Sequence, residues 1–443
     1  REVRIVMIRF ATSFLALSVI GCSGGAVVDI GSLDTAGIDT AGTVDTGATF
    51  TDTGETDTID TDIEDVGGIE ELAAWVFDQS IVHRVDITLS EASYTELRSF
   101  SEPYNSTHWV EGSIEFDGHL MESVGVRLKG RWGSWRSIDS KAGFKIDLNR
   151  YVDGQNLFGL ETLTLNNMVV DSSHVKERIS YMVYDAMDIP HPRNSYAEVY
   201  VNNELFGLYL NIETPDELYL NRFYDDSTGN LYDADYIMYD NGGYDILDFY
   251  ESLAPLFELE EGVDVGGSDI AEIASLLTVA ENSSYFMTDT EEYIDWDYHT
   301  RMMAAEMWVG QIDGYSLNRN NYLVYFDPIS ELVTVLPWDH DYAFVRDRDW
   351  GFSWLNPTGR LSSDCISNYT CRELLKSRIR EVSILADNMN LAQVLSDTDD
   401  MIREHIIADP RKEAGMSTVD YYQSYLYQWI STRRGELEDK WGL

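Results

Sequence analysis

Basic residues are scarce in this chain. Its 443 residues include 31 Lys and Arg against 78 Asp and Glu, which gives a formal net charge of -47 at pH 7. Such a charge repels phosphate backbones, so it argues against nucleic acid as a partner. It is compatible with attraction to basic proteins or to metal cations. No Lys or Arg occurs between Arg9 and Arg84.

Cysteine is equally sparse, with residues only at Cys22, Cys365 and Cys371. The last two have no accompanying His pair, so they do not form a zinc-binding pattern. In an exported protein they are candidates for a small-loop disulfide. The chain also lacks the nucleophile-elbow motif of a Ser-His-Asp hydrolase.

Long apolar runs are missing as well. The stretch "MIRFATSFLALSVIGC" at residues 7–22 is too short and too interrupted for a transmembrane span. Its end, "VIGC", resembles a bacterial lipobox, which predicts a lipoprotein signal peptide over residues 1–22 and lipidation of Cys22. An ordinary cleaved signal peptide is the alternative. Several acyl chains would anchor the protein durably in the bacterial cell envelope, either periplasmic or at the cell surface.

Residues 23–68 are dominated by Asp, Thr and Gly in a loose repeat. This composition has too little apolar surface to offset the entropy of ordering, and its like charges keep the chain extended. The repeated Asp-Thr pairs do not match the spacing of an EF-hand loop. The segment is therefore predicted to be a disordered tether in front of a folded domain at residues 69–443.

Residues 69–443 carry the patterns of an α+β domain. Short strands prevail up to about residue 215, together with the amphipathic helix "SSHVKERISYMVYDAM". Helical patterns prevail afterwards, including "DILDFYESLAPLFE", "DIAEIASLLTVA" and "DYHTRMMAAEMWVG", with one strand pair at "NYLVYF" and "ELVTVL". These patterns predict a strand-rich N-terminal lobe at about 75–215 and a helix-rich C-terminal lobe at about 216–443.

Two aspartates directly follow the second strand of that pair, in "LPWDHD". Asp339 and Asp341 lie at the exit of an apolar run, where a buried carboxylate is costly unless a positive group binds it. If the segment is extended, both side chains point to the same side.

Several strings occur in a characteristic order along roughly residues 75 to 350: "VRLKG", "FKIDLN", "GLETLTLNN", "VKERISYMVYDAM", "SYAEVYVNNELFGLYLNIE", "GNLYD", "IDGYSLNRNNYLVYFDP" and "LPWDHD". Together they resemble the spore-coat H (CotH) kinase family. The resemblance implies an atypical protein-kinase-like fold with two lobes. It also implies transfer of the ATP γ-phosphate to Ser or Thr of a protein substrate, with Mg²⁺ or Mn²⁺.

The resemblance implies roles for the carboxylates. Asp313 matches the catalytic-loop Asp that accepts or orients the proton of the acceptor hydroxyl. Asp339 would be the principal metal ligand, and Asp341 would share the metal or hydrogen-bond Asp339. The position of the Asn that holds a second metal stays open among three residues: Asn318, which fits the usual count from Asp313, Asn320, and Asn321, which directly precedes the strand.

The resemblance also places five candidates for ATP binding: Lys129, Lys145, Arg127, Glu177 and Glu213. Either lysine could bind phosphate, and Glu177 is placed like the helix Glu that pairs with it. The backbone near Glu213 would meet the adenine. Gly130 and Gly133 offer a short glycine-containing loop over the phosphates, although neither a Walker pattern nor the usual kinase glycine loop is present.

Two other function classes are compatible with the sequence. The first is a non-catalytic surface adhesin or binding module on a kinase-like scaffold. It predicts decay of the carboxylate set, yet Asp313 and Asp339 are both present. The second is a phosphoryl or nucleotidyl transferase that acts on a small molecule or a surface polymer.

Overall fold

The computed structural model describes residues 72–443 with the exception of 101–107, 132, 235, 240–242, 264–265 and 282. The predicted signal peptide, Cys22 and the tether at 23–68 lie outside the described residues, so they stay predictions. None of the described helices combines the length and the hydrophobicity needed to cross a membrane. The described fold is mixed α+β, as the sequence predicted.

The first half of the described chain forms a closed barrel of seven strands. They are β1 Val82–Leu89, β2 Val110–Phe116, β3 His119–Lys129, β4 Gly143–Asp147, β5 Thr162–Asn166, β6 Asn194–Val201 and β7 Glu204–Ile212. Their order around the barrel is β1-β2-β3-β4-β5-β7-β6, and β1 pairs in parallel with β6 to close it. Closure leaves the barrel without a free strand edge.

Apolar and polar side chains alternate along β3 and β4, so this part of the barrel has one apolar and one polar face. Val126 and Phe144 belong to the hydrophobic cluster inside the barrel. The register pairs Arg127 with Lys145 and Lys129 with Gly143. Because successive side chains of a strand point to opposite faces, these three basic residues lie on the outer face.

Helices α1 Glu91–Arg98 and α2 Lys176–Asp185 accompany the barrel strands. Ser90 caps α1, since its side chain accepts a hydrogen bond from the backbone N–H of Ser93. Helix α2 carries the amphipathic pattern read from the sequence, and its apolar side packs in the larger hydrophobic cluster.

The second half contains most of the helices and a separate sheet. The helices are α3 Glu217–Asn221, α4 Ser268–Ala280, α5 Phe286–Thr290, α6 Trp296–Val309, α7 Arg360–Ser367, α8 Tyr369–Asn388, α9 Leu391–Ala408 and α10 Met416–Trp441. The strands are β8 Asn230–Asp233, β9 Ile237–Met238, β10 Tyr244–Asp245, β11 Glu258–Glu261, β12 Tyr322–Phe326 and β13 Val333–Pro337. Strands β9 and β10 pair with each other, and the other four form a sheet in the order β11-β8-β12-β13.

The larger hydrophobic core joins the two halves of the chain. It includes Val175 beside α2, Ile212 at the end of β7, Trp308 on α6 and Trp441 at the end of α10. This core therefore crosses the lobe boundary that the sequence predicted near residue 215. The outer face of the barrel and the C-terminal helices are packed against each other.

The helix predicted for "DILDFYESLAPLFE" is wrong. This segment contains the end of β10, a short 3-10 helix at Ala254–Leu256 and the start of β11. Buried Asp248 accepts hydrogen bonds from the backbone N–H groups of Phe249 and Arg360 at 2.8 and 3.0 Å. These bonds hold the chain in a loop, and such tertiary contacts override the helical spacing of the apolar residues.

Candidate functional site

Asp313 lies in the loop between α6 and β12, and three asparagine side chains hold its carboxylate. Asn318 Nδ2 donates to Asp313 Oδ1 at 2.5 Å. Asn320 Nδ2 and Asn321 Nδ2 donate to Oδ2 of the same carboxylate at 3.2 and 3.0 Å. The asparagines that the sequence offered as alternatives thus contact one carboxylate. These three hydrogen bonds fix the orientation of the Asp313 carboxylate.

The buried carboxylate of Glu306 on α6 contacts this loop and holds its backbone. Glu306 Oε2 accepts a hydrogen bond from the backbone N–H of Ser316 at 3.3 Å. An added Cβ at Gly314 would lie only 2.3 Å from Glu306 Oε1, so glycine is required there by close approach. Burial raises the pKa of Glu306 to about 7, although the hydrogen bonds from Ser316 oppose the rise.

Replacement of this group, Glu306→Gln, should flatten the pH dependence of stability. The unfolded chain releases the Glu306 proton near pH 4.5, whereas the folded protein retains it up to about pH 7. Between these values the folded state binds more protons, so the free energy of unfolding falls as pH rises. One proton contributes up to about 1.4 kcal/mol per pH unit. Urea unfolding at several pH values in this range measures the free energy of unfolding, which should change less with pH in the variant than in the wild-type protein. An equal change with pH in both proteins would contradict a protonated Glu306.

Asp339 lies in a tight turn after β13, so the segment is not extended at this residue. Its φ is +43°, whereas a β-strand residue has a φ near -120° to -140°. Two side-chain amides hold the turn by donating to the carbonyl of Asp339, Gln311 Nε2 at 2.8 Å and Asn321 Nδ2 at 3.1 Å. Asn321 thereby connects the loop of Asp313 to the turn of Asp339.

Three buried acceptor oxygens near this turn have no hydrogen-bond donor among the described residues. They are Asp339 Oδ1, Asn320 Oδ1 and Gln311 Oε1. A buried acceptor without a partner is destabilising, which calls for an explanation such as an ion or a water. Carboxylate and amide oxygens are the ligands that Mg²⁺ and Mn²⁺ prefer. The residues present therefore fit a divalent cation, with Asp339 and Asn320 as its candidate ligands.

The arrangement differs from a dedicated metal cage. Within the described part of the chain, no three His, Cys, Asp or Glu side chains converge in a way that could hold a metal ion. A Mg²⁺ ion that arrives with a nucleotide needs only one or two protein carboxylates, because phosphate oxygens and waters fill the other positions. The site fits that second kind of binding.

Two further carboxylates face Asp339, Glu177 from α2 and Asp341 from the turn. Their exposed fractions are 3% and 5%. Burial and the charge of Asp339 raise the pKa of Glu177 to about 8 and raise the pKa of Asp341 well above its usual range. The charge of Asp313 also contributes to the shift of Asp341. These four residues form an acidic cluster in which a bound cation would relieve the mutual repulsion.

Glu177 also connects α2 to the turn. Its Oε1 accepts a hydrogen bond from the backbone N–H of His340 at 3.2 Å, and its Oε2 accepts one from Asn166 Nδ2 at 3.3 Å. The ring of His340 packs edge-on against Tyr181 and Tyr184, with centroids 5.0 and 4.9 Å apart. Burial lowers the pKa of His340 to about 3, so this side chain is neutral and structural.

The structure distinguishes the two lysines that the sequence could not rank. Lys129 is close enough to the acidic cluster for its charge to oppose the rise in the pKa of Glu177. Lys145 and Arg127 lie on the same barrel face, but Lys145 interacts with Glu260 of β11. Burial and the charge of Arg127 lower the pKa of Lys145. Of the two lysines, Lys129 is therefore the one whose charge acts on Glu177 of the acidic cluster.

The glycine-containing loop lies against the turn of Asp339. Gly130 and Gly133 have φ values of +113° and +86°, which favour glycine. A Cβ on Gly133 would lie 3.0 Å from Tyr342 Oη. Burial and the charge of Asp341 raise the pKa of Tyr342 to about 12, so Tyr342 lies between the loop and the acidic cluster.

Three other predicted residues, Glu213, Cys365 and Cys371, make contacts of a different kind. The carboxylate of Glu213 is buried and binds both Arg193, at 2.9 Å from Nε, and Arg222. Its side chain is therefore occupied by two guanidinium groups. Cys365 and Cys371 form a disulfide that connects α7 to α8, with their Cα atoms 5.0 Å apart.

Three residues at the site were not predicted from the sequence: Lys176, Gln311 and Tyr342. Gln311 and Tyr342 lie within two residues of Asp313 and Asp341, so attention to the neighbours of those residues could have found them. Lys176 Nζ donates to the carbonyl of Asp341 at 2.6 Å. These two residues are 165 positions apart in sequence, and no local sequence pattern predicts their contact.

Comparisons with known proteins bear on the same part of the chain. The family model described as CotH kinase protein matches residues 126–437. It extends through the C-terminal helices, beyond the end near residue 350 that the sequence resemblance reached. The Inner spore coat protein H of Bacillus subtilis (strain 168) is 21% identical over 297 residues, which cover 63% of this chain and 78% of that protein.

Proposed function

Because the chain belongs to the CotH kinase protein family, we propose that it transfers the γ-phosphate of ATP to Ser or Thr of a protein substrate, with Mg²⁺ or Mn²⁺. The observation that carries the proposal is the pair of buried oxygens Asp339 Oδ1 and Asn320 Oδ1. They lack donors among the described residues and lie in the network that holds Asp313. A metal-binding carboxylate and a carboxylate for the acceptor are two of the parts that phosphoryl transfer needs.

In this proposal each residue of the site has a separate role in the reaction. Asp313 takes the proton of the acceptor hydroxyl while the hydroxyl oxygen bonds to the γ-phosphorus. The bond from that phosphorus to the oxygen bridging the β-phosphate breaks, and ADP leaves with the electron pair. Lys129 offsets negative charge on the phosphates. A divalent cation, held by Asp339 and Asn320, would supply further neutralisation of the phosphate charge.

We also propose an extracytoplasmic location at the cell envelope. The related protein is a spore coat protein by name, and the sequence predicts a lipobox at Cys22. The high negative charge then favours a basic or surface-exposed protein as substrate. An unmodified Cys22 thiol in the mature full-length protein would contradict the lipid anchor.

The proposed function is tested with the purified protein and γ-labelled ATP, in the presence of Mg²⁺ or Mn²⁺. We expect phosphoserine or phosphothreonine on the protein itself or on added envelope proteins, identified by mass spectrometry. A chelator should abolish the labelling. Calorimetry should separately detect metal-dependent ATP binding. A protein that binds no nucleotide with either metal would favour the non-catalytic adhesin.

A further inference from the structure

The glycine-containing loop connects two parts of the candidate site. It leaves strand β3 directly after Lys129, and it continues through Gly130 and Gly133. A Cβ added at Gly133 would lie 3.0 Å from Tyr342 Oη. Tyr342 directly follows Asp341 in the acidic cluster. The backbone of the loop therefore lies next to the turn that carries the candidate metal ligand.

The guanidinium group of Arg136 holds the end of this loop. Its Nη1 donates to the carbonyls of Gly133 and Trp135 at 2.9 and 2.8 Å. Its Nε and Nη2 donate to the two carboxylate oxygens of Glu413, the second at 2.7 Å. A bidentate pair of this kind fixes direction as well as distance, which a single charge contact does not. Arg136 thus joins the backbone of the loop to Glu413.

Glu413 belongs to the connection between α9 and α10, and this connection is itself attached to the barrel. Lys141 donates to the carboxylate of Asp409, and both side chains are buried. Arg411 Nη1 donates to the carbonyl of Ser140 at 2.9 Å. Glu413 is therefore presented to Arg136 by a segment that has other, buried contacts with the barrel.

We propose that Arg136 is a positioning residue for ATP. Together with Glu413 it holds the glycine-containing loop beside Lys129 and the turn of Asp339, where the backbone of the loop contacts the phosphates. This inference rests on the ATP binding that the proposed function requires. It gives the C-terminal helices a role in the nucleotide site.

The exposure of the pair separates this role from a role in stability. The side chains of Arg136 and Glu413 are 28% and 43% exposed. An ion pair so accessible to water contributes little to the stability of the fold. A loop with two glycines has many other conformations open to it once it is released. A contact that excludes those conformations lowers the entropy cost of binding ATP, so its effect appears in the affinity for ATP.

A double-mutant cycle on the pair tests the inference. Arg136→Gln and Glu413→Gln should each raise the KM for ATP and the Kd for Mg²⁺–ATP about 5-fold, the upper range for an exposed ion pair. The kcat at saturating ATP and the KM for the acceptor should stay unchanged, because the lost contact acts on nucleotide binding. The acceptor is the serine or threonine peptide that the wild-type protein phosphorylates best from a degenerate peptide library.

The double variant should show the same loss, about 5-fold, because either substitution alone already removes the pair. An additive loss of about 25-fold would mean that the two residues act independently, which overturns the inference. Unchanged affinity for Mg²⁺–ATP in both single variants overturns it as well.

The same connection offers a matched control. Arg411 Nη2 donates to the exposed Glu204 of β7 at 2.8 Å. Glu204→Gln removes this ion pair without touching the glycine-containing loop, so the affinity for ATP should match the wild-type value. The thermal midpoint without nucleotide should match it in all four variants. If Arg136→Gln lowers the thermal midpoint and changes the acceptor KM along with the KM for ATP, Arg136 is merely structural and the inference is wrong.

The outcomes distinguish this inference from the proposed function. A wild-type protein that binds Mg²⁺–ATP and transfers phosphate, combined with variants of the pair that keep wild-type affinity, overturns the role of Arg136 alone. A wild-type protein that neither binds Mg²⁺–ATP nor labels any peptide overturns the kinase proposal, and the role of Arg136 with it.

Discussion

Asp313→Asn should reduce phosphoryl transfer by on the order of 10²- to 10⁴-fold, the usual effect of losing a general base. An amide cannot accept the proton of the acceptor hydroxyl. The new side chain can keep its carbonyl oxygen toward the amide donors of Asn320 and Asn321, which now donate to Asp313 Oδ2. Its NH₂ group would then face Asn318, which can rotate to present its own carbonyl oxygen, so the fold should persist. Rates are measured with labelled ATP and the best peptide acceptor.

The control for this substitution removes the same charge outside the site. Asp327 accepts hydrogen bonds in the turn between β12 and β13, from Ile329 N at 3.0 Å and from Ser330 Oγ at 2.6 Å. Asp327→Asn should leave the rate unchanged. Affinity for metal–ATP should stay near the wild-type value in the Asp313 variant. If transfer falls less than 10-fold while binding persists, Asp313 is not the general base.

Asp339→Asn should abolish metal-dependent ATP binding and turnover together. The substitution keeps the size of the side chain and removes the charge that would hold the cation. We expect at least the roughly 10- to 100-fold loss of affinity that follows from changing groups around a metal site. Without metal the variant should be no less stable than the wild-type protein, because the charge of Asp339 raises the pKa of Glu177 and of Asp341.

Calorimetry with ATP and Mg²⁺ measures the affinity, and thermal unfolding without metal measures the stability. Asp341→Asn is the companion variant, since Asp341 lies in the same cluster and we expect an intermediate loss. If Asp341→Asn is the more damaging of the two, Asp341 and not Asp339 is the principal ligand.

Local spacing was enough to identify the loop of Asp313. Asp313 and the three asparagines lie within nine consecutive positions, so their contacts are short-range in sequence. The turn at Asp339 was located by its position after an apolar strand. The conformation of this turn could not be predicted, because its residue with positive φ is held by hydrogen bonds from Gln311 and Asn321. These residues are 28 and 18 positions away in sequence.

The burial of Glu177 could not be predicted from the sequence pattern of its helix. An exposed helical Glu and a buried one occupy similar sequence positions. Only the packing of α2 against the turn buries this carboxylate, with a hydrogen bond from His340 across 163 positions. The choice between Lys129 and Lys145 has the same origin. Both lie on the outer face of one strand pair, and only their different neighbours, the acidic cluster and Glu260, separate them.

The sequence by itself determined the α+β class and the family resemblance, and it predicted the carboxylates of the candidate site. These properties depend on hydrophobic periodicity and on motifs of a few consecutive residues. Only the tertiary structure decided that the strands close into a barrel, that Glu177 and Asp341 are buried with Asp339, and that the charge of Lys129 acts on Glu177. Those features depend on contacts between distant segments, whose free energies come from burial and from the electrostatics of groups that the chain brings together only when it folds.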